Sequence, residues 1–125
     1  RSSTAWRALP PSAANLAALG EALLREGNRA AARKTLEASL RLDSTHPQAL
    51  NALAVLHATE GRLDPALALL ESSRHANPSH PLTWLNLGVT WEAKGDRTRA
   101  RDSYRESIRL QPDFAEARHR LATLQ

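Results

Sequence analysis

Between Pro81 and Phe114 the apolar positions fall on two stripes separated by a break. Trp84, Leu87, Gly88 and Trp91 recur at offsets of three, one and three, which places them on one side of a helix. Gly95 and Asp96 interrupt that helix, because glycine supplies a helix-ending conformation and aspartate a cap for the next helix. Ala100, Tyr104, Ser107 and Ile108 then form a second stripe, and Pro112 closes it. The pattern predicts a helix, a tight turn and a second helix.

The same pattern recurs with a step of 34 residues. A shift of one step lays Pro47 to His80 on Pro81 to Phe114, and a second shift lays Ala13 to His46 there. Leu19, Leu53 and Leu87 coincide, as do Gly27, Gly61 and Gly95; Ala32, Ala66 and Ala100; and Ser39, Ser73 and Ser107. Similar residues fill further columns: Gly20, Ala54 and Gly88; Leu16, Leu50 and Trp84; Leu36, Leu70 and Tyr104; Ser44, Pro78 and Pro112. Identical and similar columns in gap-free register identify a repeat architecture.

On these residues the chain resembles the tetratricopeptide repeat family, over about nine tenths of its length. Trp84, Leu87, Gly88, Trp91, Ala100, Tyr104 and Pro112 match the family pattern best. Ser39, Ser73 and Ser107 stand where the family usually has alanine, a small-for-small change at a close helix crossing. His57 departs further, because it occupies the column of Trp91. The resemblance implies an all-α fold, a tetratricopeptide-type α-solenoid whose antiparallel helix pairs stack into a right-handed superhelix. The expected organisation is a remnant of a preceding repeat or leader at 1–12, repeats at 13–46, 47–80 and 81–114, and a capping helix at 115–125.

Along the chain, Ala5 and Pro10 fall in the columns of Ser39 and Pro78, so residues 1–9 read as the end of a preceding second helix. Helices are expected at about 14–26 and 29–42, with Asn28 capping the second. His46-Pro47, Asp64-Pro65 and His80-Pro81 each put proline in a first helical turn, where its missing N–H has no partner to lose, with Asp64 expected as the cap before Pro65. Asp113 and Glu116 suggest a capping pair for the last helix, which carries Arg118 in the column of Trp84.

The resemblance also implies that the first helix of each repeat lines an inner, concave wall. The packing stripe takes columns 4, 7, 8 and 11 of each repeat, which assigns columns 2, 5, 6, 9, 12 and 13 to the groove. The groove residues expected on that basis are Ala17, Glu21, Gln48, Asn51, Ala52, Val55, Leu82, Leu85, Asn86 and Val89, with Glu116, His119, Arg120 and Thr123 added by the last helix. A wall of small and apolar groups with isolated amides suits an extended peptide or a partner helix. The family's clamp for acidic chaperone tails has Lys, Asn and Arg in groove columns that hold Ala17, Glu21, Ala52, Leu82 and Asn86 here, so that ligand is not expected. An asparagine ladder of the kind found in protein O-linked N-acetylglucosamine transferases has one matching rung, Asn86.

Composition sharpens the picture in three places. Hydrophobic residues make up 42% and aromatic residues 4%, so the core must be built mainly from Ala and Leu. The net charge of +4 is not one-sided: residues 1–46 carry 7 basic and 4 acidic groups, 47–94 carry 3 and 4, and 95–125 carry 7 and 5. The row Arg101, Arg105 and Arg109 is flanked by Asp102 and Glu106, an interleaving that does not suit a nucleic-acid surface. No Cys is present, which removes disulfides and thiolate metal sites. His46, His57, His75, His80 and His119 lack the spacing of a zinc site, and no cofactor-binding motif occurs.

No apolar run approaches the roughly 20 residues of a membrane span. The functional expectation is a non-enzymatic protein-interaction module, a scaffold or adaptor holding a peptide or partner helix in its groove. The alternatives are a substrate-recognition or regulatory arm of a larger protein-modifying enzyme such as a glycosyltransferase, and a structural array that self-associates through its N-terminal end. The sequence does not fix a compartment, though a cytoplasmic one is favoured over a periplasmic one.

Overall fold

The computed structural model describes residues 10–124, and all regular structure among them is helical. The elements are α1 (Ala13–Arg25), α2 (Arg29–Leu42), α3 (Pro47–Thr59), α4 (Leu63–Ala76), α5 (Pro81–Ala93), α6 (Arg97–Leu110) and α7 (Ala115–Leu124). The pairs α1–α2, α3–α4 and α5–α6 fall one to each 34-residue window. The expected reading of residues 1–9 lies outside the described residues.

Each pair is closed by the same local chemistry. Gly27, Gly61 and Gly95 have φ of 84°, 80° and 86°, a conformation that costs a side-chain-bearing residue roughly 1–2 kcal/mol. Each lets the next residue's N–H turn back into the preceding helix, from Asn28 to Leu23 O, Arg62 to His57 O and Asp96 to Trp91 O, all at 2.9 Å. In the first and third pairs the following helix is then capped by a side chain, with Asn28 Oδ1 accepting from Ala31 N–H and Asp96 Oδ1 from Arg99 N–H, whereas Arg62 before α4 makes no side-chain cap.

Two expected caps are replaced. Helix α4 begins at Leu63, so Asp64 sits inside its first turn and forms an ion pair with Lys94 at 2.7 Å instead. Helix α7 begins at Ala115, which puts Phe114 rather than Asp113 immediately before it. Arg118 keeps the role of the tryptophan it replaces: its Nε donates to Pro112 O as Trp84 Nε1 donates to Pro78 O.

Three clusters make the core, and each joins one helix pair to the first helix of the next. Ala17, Leu36, Ala49, Leu53 and Leu56 link α1, α2 and α3; Ala54, Ala66, Leu70 and Leu87 link α3, α4 and α5. Leu85, Ala100, Tyr104, Ala117 and Leu124 link α5, α6 and α7. Among the described residues no single central core exists, so stability is passed from neighbour to neighbour along the stack. The result is the all-α solenoid that the repeat implied.

Candidate functional site

The first helices α1, α3 and α5 stand side by side, and α7 continues the row. A first helix in this row has neighbours on more than one side: its own second helix, the preceding second helix and the adjacent first helices. Consequently α3 buries Ala49 and Leu56 as well as Leu50, Leu53 and Ala54 of the expected packing stripe, with His57 half-buried, and α5 buries Thr83 and Thr90. The free arc facing the groove is narrower than a single 3.6-residue stripe suggests.

That narrowing moves four expected groove residues into the interior. Ala17, Asn51 and Leu85 are 0%, 3% and 3% exposed, so column 5 is an interface column in all three repeats. Ala52, at 7%, reaches only the floor. Glu21, Gln48, Asn86 and Val89 are half-buried, whereas Val55 and Leu82 are 41% and 38% exposed. His119 is exposed on α7 but lines neither hollow of the concave face.

Of these two hollows, one, of about 240 Å³, is lined by Glu21, Leu24, Arg25, Ala52, Val55, Leu82 and Asn86. The other, of about 290 Å³, lies towards α7 and is lined among others by Val55, Val89, Thr90, Ala93, Glu116 and Arg120, with Asn86 again at its wall. Val55 and Asn86 belong to both and form the ridge between them.

The polar groups of this face are largely committed. Gln48 Nε2 donates to Glu21, and Arg120 Nε meets Glu116 Oε2 at 3.2 Å. The Tyr104 hydroxyl donates to Glu92 Oε1 at 2.7 Å; burial and the Glu92 carboxylate push its pKa above the usual range.

Beneath the ridge lies a buried polar network that the residue pattern did not disclose. Asn51 Nδ2 donates to Pro47 O and to Thr83 Oγ1, both at 2.9 Å, with Ser73 Oγ further away at 3.4 Å. Ser73 and Thr83 hydroxyls meet at 2.9 Å, and Asn86 Nδ2 donates to Asn51 Oδ1 at 2.9 Å. Its one visible signal in sequence is that Asn51 and Thr83 put polar groups in columns that hold Ala17 and Ala49 in other repeats.

Other charges form local pairs away from the hollows. Glu60 gathers Arg33 at 2.6 Å with Arg29 and Arg62 at 3.9 Å, and the Arg33 hydrogen bond holds its carboxyl below the usual range. Arg109 pairs with Glu106, so the arginine row on α6 is neutralised in part. Among the described residues no three His, Asp or Glu side chains are gathered as metal ligands would be, and no helix is long and apolar enough to cross a membrane.

The tetratricopeptide repeat model matches residues 17–81 and 60–115. The chain belongs to the tetratricopeptide repeat family. A search among curated proteins finds no match. Solved structures agree on the fold. The first tetratricopeptide domain of Spaghetti (RPAP3), bound to the HSP90 peptide SRMEEVD, superposes with a TM-score of 0.83 at 18% identity, over 90% of this chain and 89% of that one. An O-GlcNAc transferase mutant from Thermobaculum terrenum gives 0.86 at 24% identity, over 90% of this chain but 22% of that one. YrrB, described as having an unusual peptide-binding site, gives 0.78 at 27% identity, over 90% of this chain and 58% of that one.

Proposed function

We propose that this tetratricopeptide array is a protein-interaction module whose concave face binds a segment of a partner protein through apolar side chains. The observation that carries this reading is the placement of Val55 and Leu82. They are two of the three large hydrophobic side chains exposed among the described residues, and both line the same hollow. A monomer gains nothing from leaving such groups in water, so a shared apolar hollow with a polar rim marks a docking surface. Two of the solved structures with this fold are described as peptide-binding, which supports the same reading. The likeness to the transferase, at 24% identity, is one of fold and does not favour an enzyme arm over a free-standing module.

The ligand is not an acidic tail clamped by lysines. Ala17 and Ala52 offer no charge, Leu82 is apolar, and Glu21 would repel a carboxylate. The test is affinity capture with the chain as bait, repeated with Val55→Asp and Val89→Asp together. Val55 is 41% exposed and Val89 half-buried beside the α5–α7 cluster, so helical circular dichroism is followed alongside, and specific prey should be lost while it holds. Prey retained at wild-type level by the double variant would sink the reading.

A further inference from the structure

The orientation of the Asn86 carboxamide follows from chemistry beneath it. Pro47 O is a main-chain carbonyl and can only accept, so the Asn51 atom facing it at 2.9 Å must be Nδ2. Both Nδ2 hydrogens are then used, on Pro47 O and Thr83 Oγ1. Asn51 Oδ1 is thereby turned to Asn86, and an acceptor there demands a donor, which fixes Nδ2 of Asn86 against it at 2.9 Å. The alternative flip would set two oxygens against each other inside a region where Asn51 is 3% exposed. Among the described residues Asn86 Oδ1 accepts no hydrogen bond, and it is not a buried atom. It stands on the ridge shared by the two hollows.

Given that the groove binds a partner segment, as proposed above, we propose that Asn51 is a positioning residue. It holds the Asn86 oxygen toward the groove, so that the ridge takes a main-chain N–H donor between two apolar side chains, one in each hollow. The N–H groups in the body of a helix are already paired internally, so the ligand crosses this ridge as an extended segment. A carboxylate placed there would meet the Asn86 oxygen and is disfavoured. Ser73 plays no part in the flip, because Pro47 O and Thr83 Oγ1 already determine it.

The probe is a panel of fluorescein-labelled, N-acetylated short peptide amides carrying two leucines at varied separations, titrated against the full chain by anisotropy. The tightest member is then remade with a single N-methyl group at each backbone nitrogen in turn. One such analogue should bind roughly tenfold more weakly, the loss of one hydrogen bond. Asn86→Ala and Asn51→Leu should each abolish that penalty, whereas Ser73→Ala, which disturbs the same buried network, should keep it. In ligand-free 1H–15N spectra, one Asn86 side-chain amide proton should exchange slowly in the wild type and in Ser73→Ala, and rapidly in Asn51→Leu. That readout distinguishes orientation from general stability, and Asn86→Ala, at a half-buried groove position, covers the case in which Asn51→Leu fails to fold. Peptides that bind and respond to Val55→Asp, yet show no N-methyl penalty or one that persists in Asn86→Ala, overturn the inference alone. Absence of binding by every panel member, or binding indifferent to Val55→Asp, overturns the groove reading and takes this inference with it.

Discussion

The outer repeats and the middle repeat solve the same packing problem with different chemistry. In the first and third, a glycine on the first helix lets a large side chain of the second come close: a Cβ on Gly20 would lie 2.5 Å from Leu36 Cδ2, and one on Gly88 would overlap the Tyr104 ring. The crossing is then closed by a serine hydroxyl donating to the first carbonyl of the first helix, Ser39 to Ala13 O at 2.7 Å and Ser107 to Pro81 O at 2.9 Å. The middle repeat has Ala54 in the glycine column, against Leu70. There Asn51 takes over the equivalent carbonyl of Pro47, and Ser73 is released to bond Thr83 in the next repeat. The outer pairs close their crossings with their own serines, whereas the middle pair closes its crossing with Asn51 and turns its serine toward the next repeat.

The largest effect should come from filling a glycine of an outer pair. Gly88→Leu forces the Tyr104 ring out of a fully buried site, and should destabilise by about 3 kcal/mol in urea unfolding. The matching change in the middle, Ala54→Gly, should cost about 1 kcal/mol, from helix propensity. A Gly88→Leu protein as stable as wild type would show that the close crossing is not required.

The next effect separates the two hydrogen-bonding schemes. Asn51→Ala leaves Pro47 O, Thr83 and Asn86 each short of a partner, and should cost about 2 kcal/mol. Ser107→Ala removes a single bond to Pro81 O and should cost about 1 kcal/mol. Equal losses in the two variants would mean that the middle network is no more cooperative than an isolated bond.

Much of this arrangement was legible in the chain, and the part that was not has a geometric cause. The turn glycines and the Ser39 and Ser107 bonds depend on contacts inside one helix pair, which a single pair's pattern records. Column 5 depends on the next repeat. Ala17, Asn51 and Leu85 read as outward-facing because a helical stripe was assigned to one neighbour, and they are buried because the stack supplies a second. Val55, Leu82, Asn86 and Val89 still line the hollows, although Asn86 also bonds Asn51 and Val89 packs against the α5–α7 cluster. The Asn51–Asn86 bond joins residues 35 apart in sequence, a separation no local pattern encodes.

The smallest effect tests the least settled position of the middle repeat. His57 fills the column held by Leu23 and Trp91, and its buried Nδ1 has no hydrogen-bond partner among the described residues. Burial lowers its pKa from the ordinary histidine value, and Arg33 and Arg62 lower it further against the opposing pull of Glu60 and Glu37. With the folded value below the unfolded one, the group is neutral in both states at pH 7.5 and above, and costs no protonation energy there. As pH falls below about 6.5, the unfolded chain takes up the proton first, so stability declines until the folded state also protonates. His57→Leu should therefore be more stable by about 1 kcal/mol at neutral pH, through removal of the unpaired buried nitrogen, and the advantage should widen as pH falls below about 6.5. Glu60, whose carboxyl is held low by Arg33, loses its contribution only at more acidic pH, which leaves this window to the histidine. Parallel urea midpoints for the two proteins across the window would show that His57 does not carry the acid sensitivity of the middle repeat.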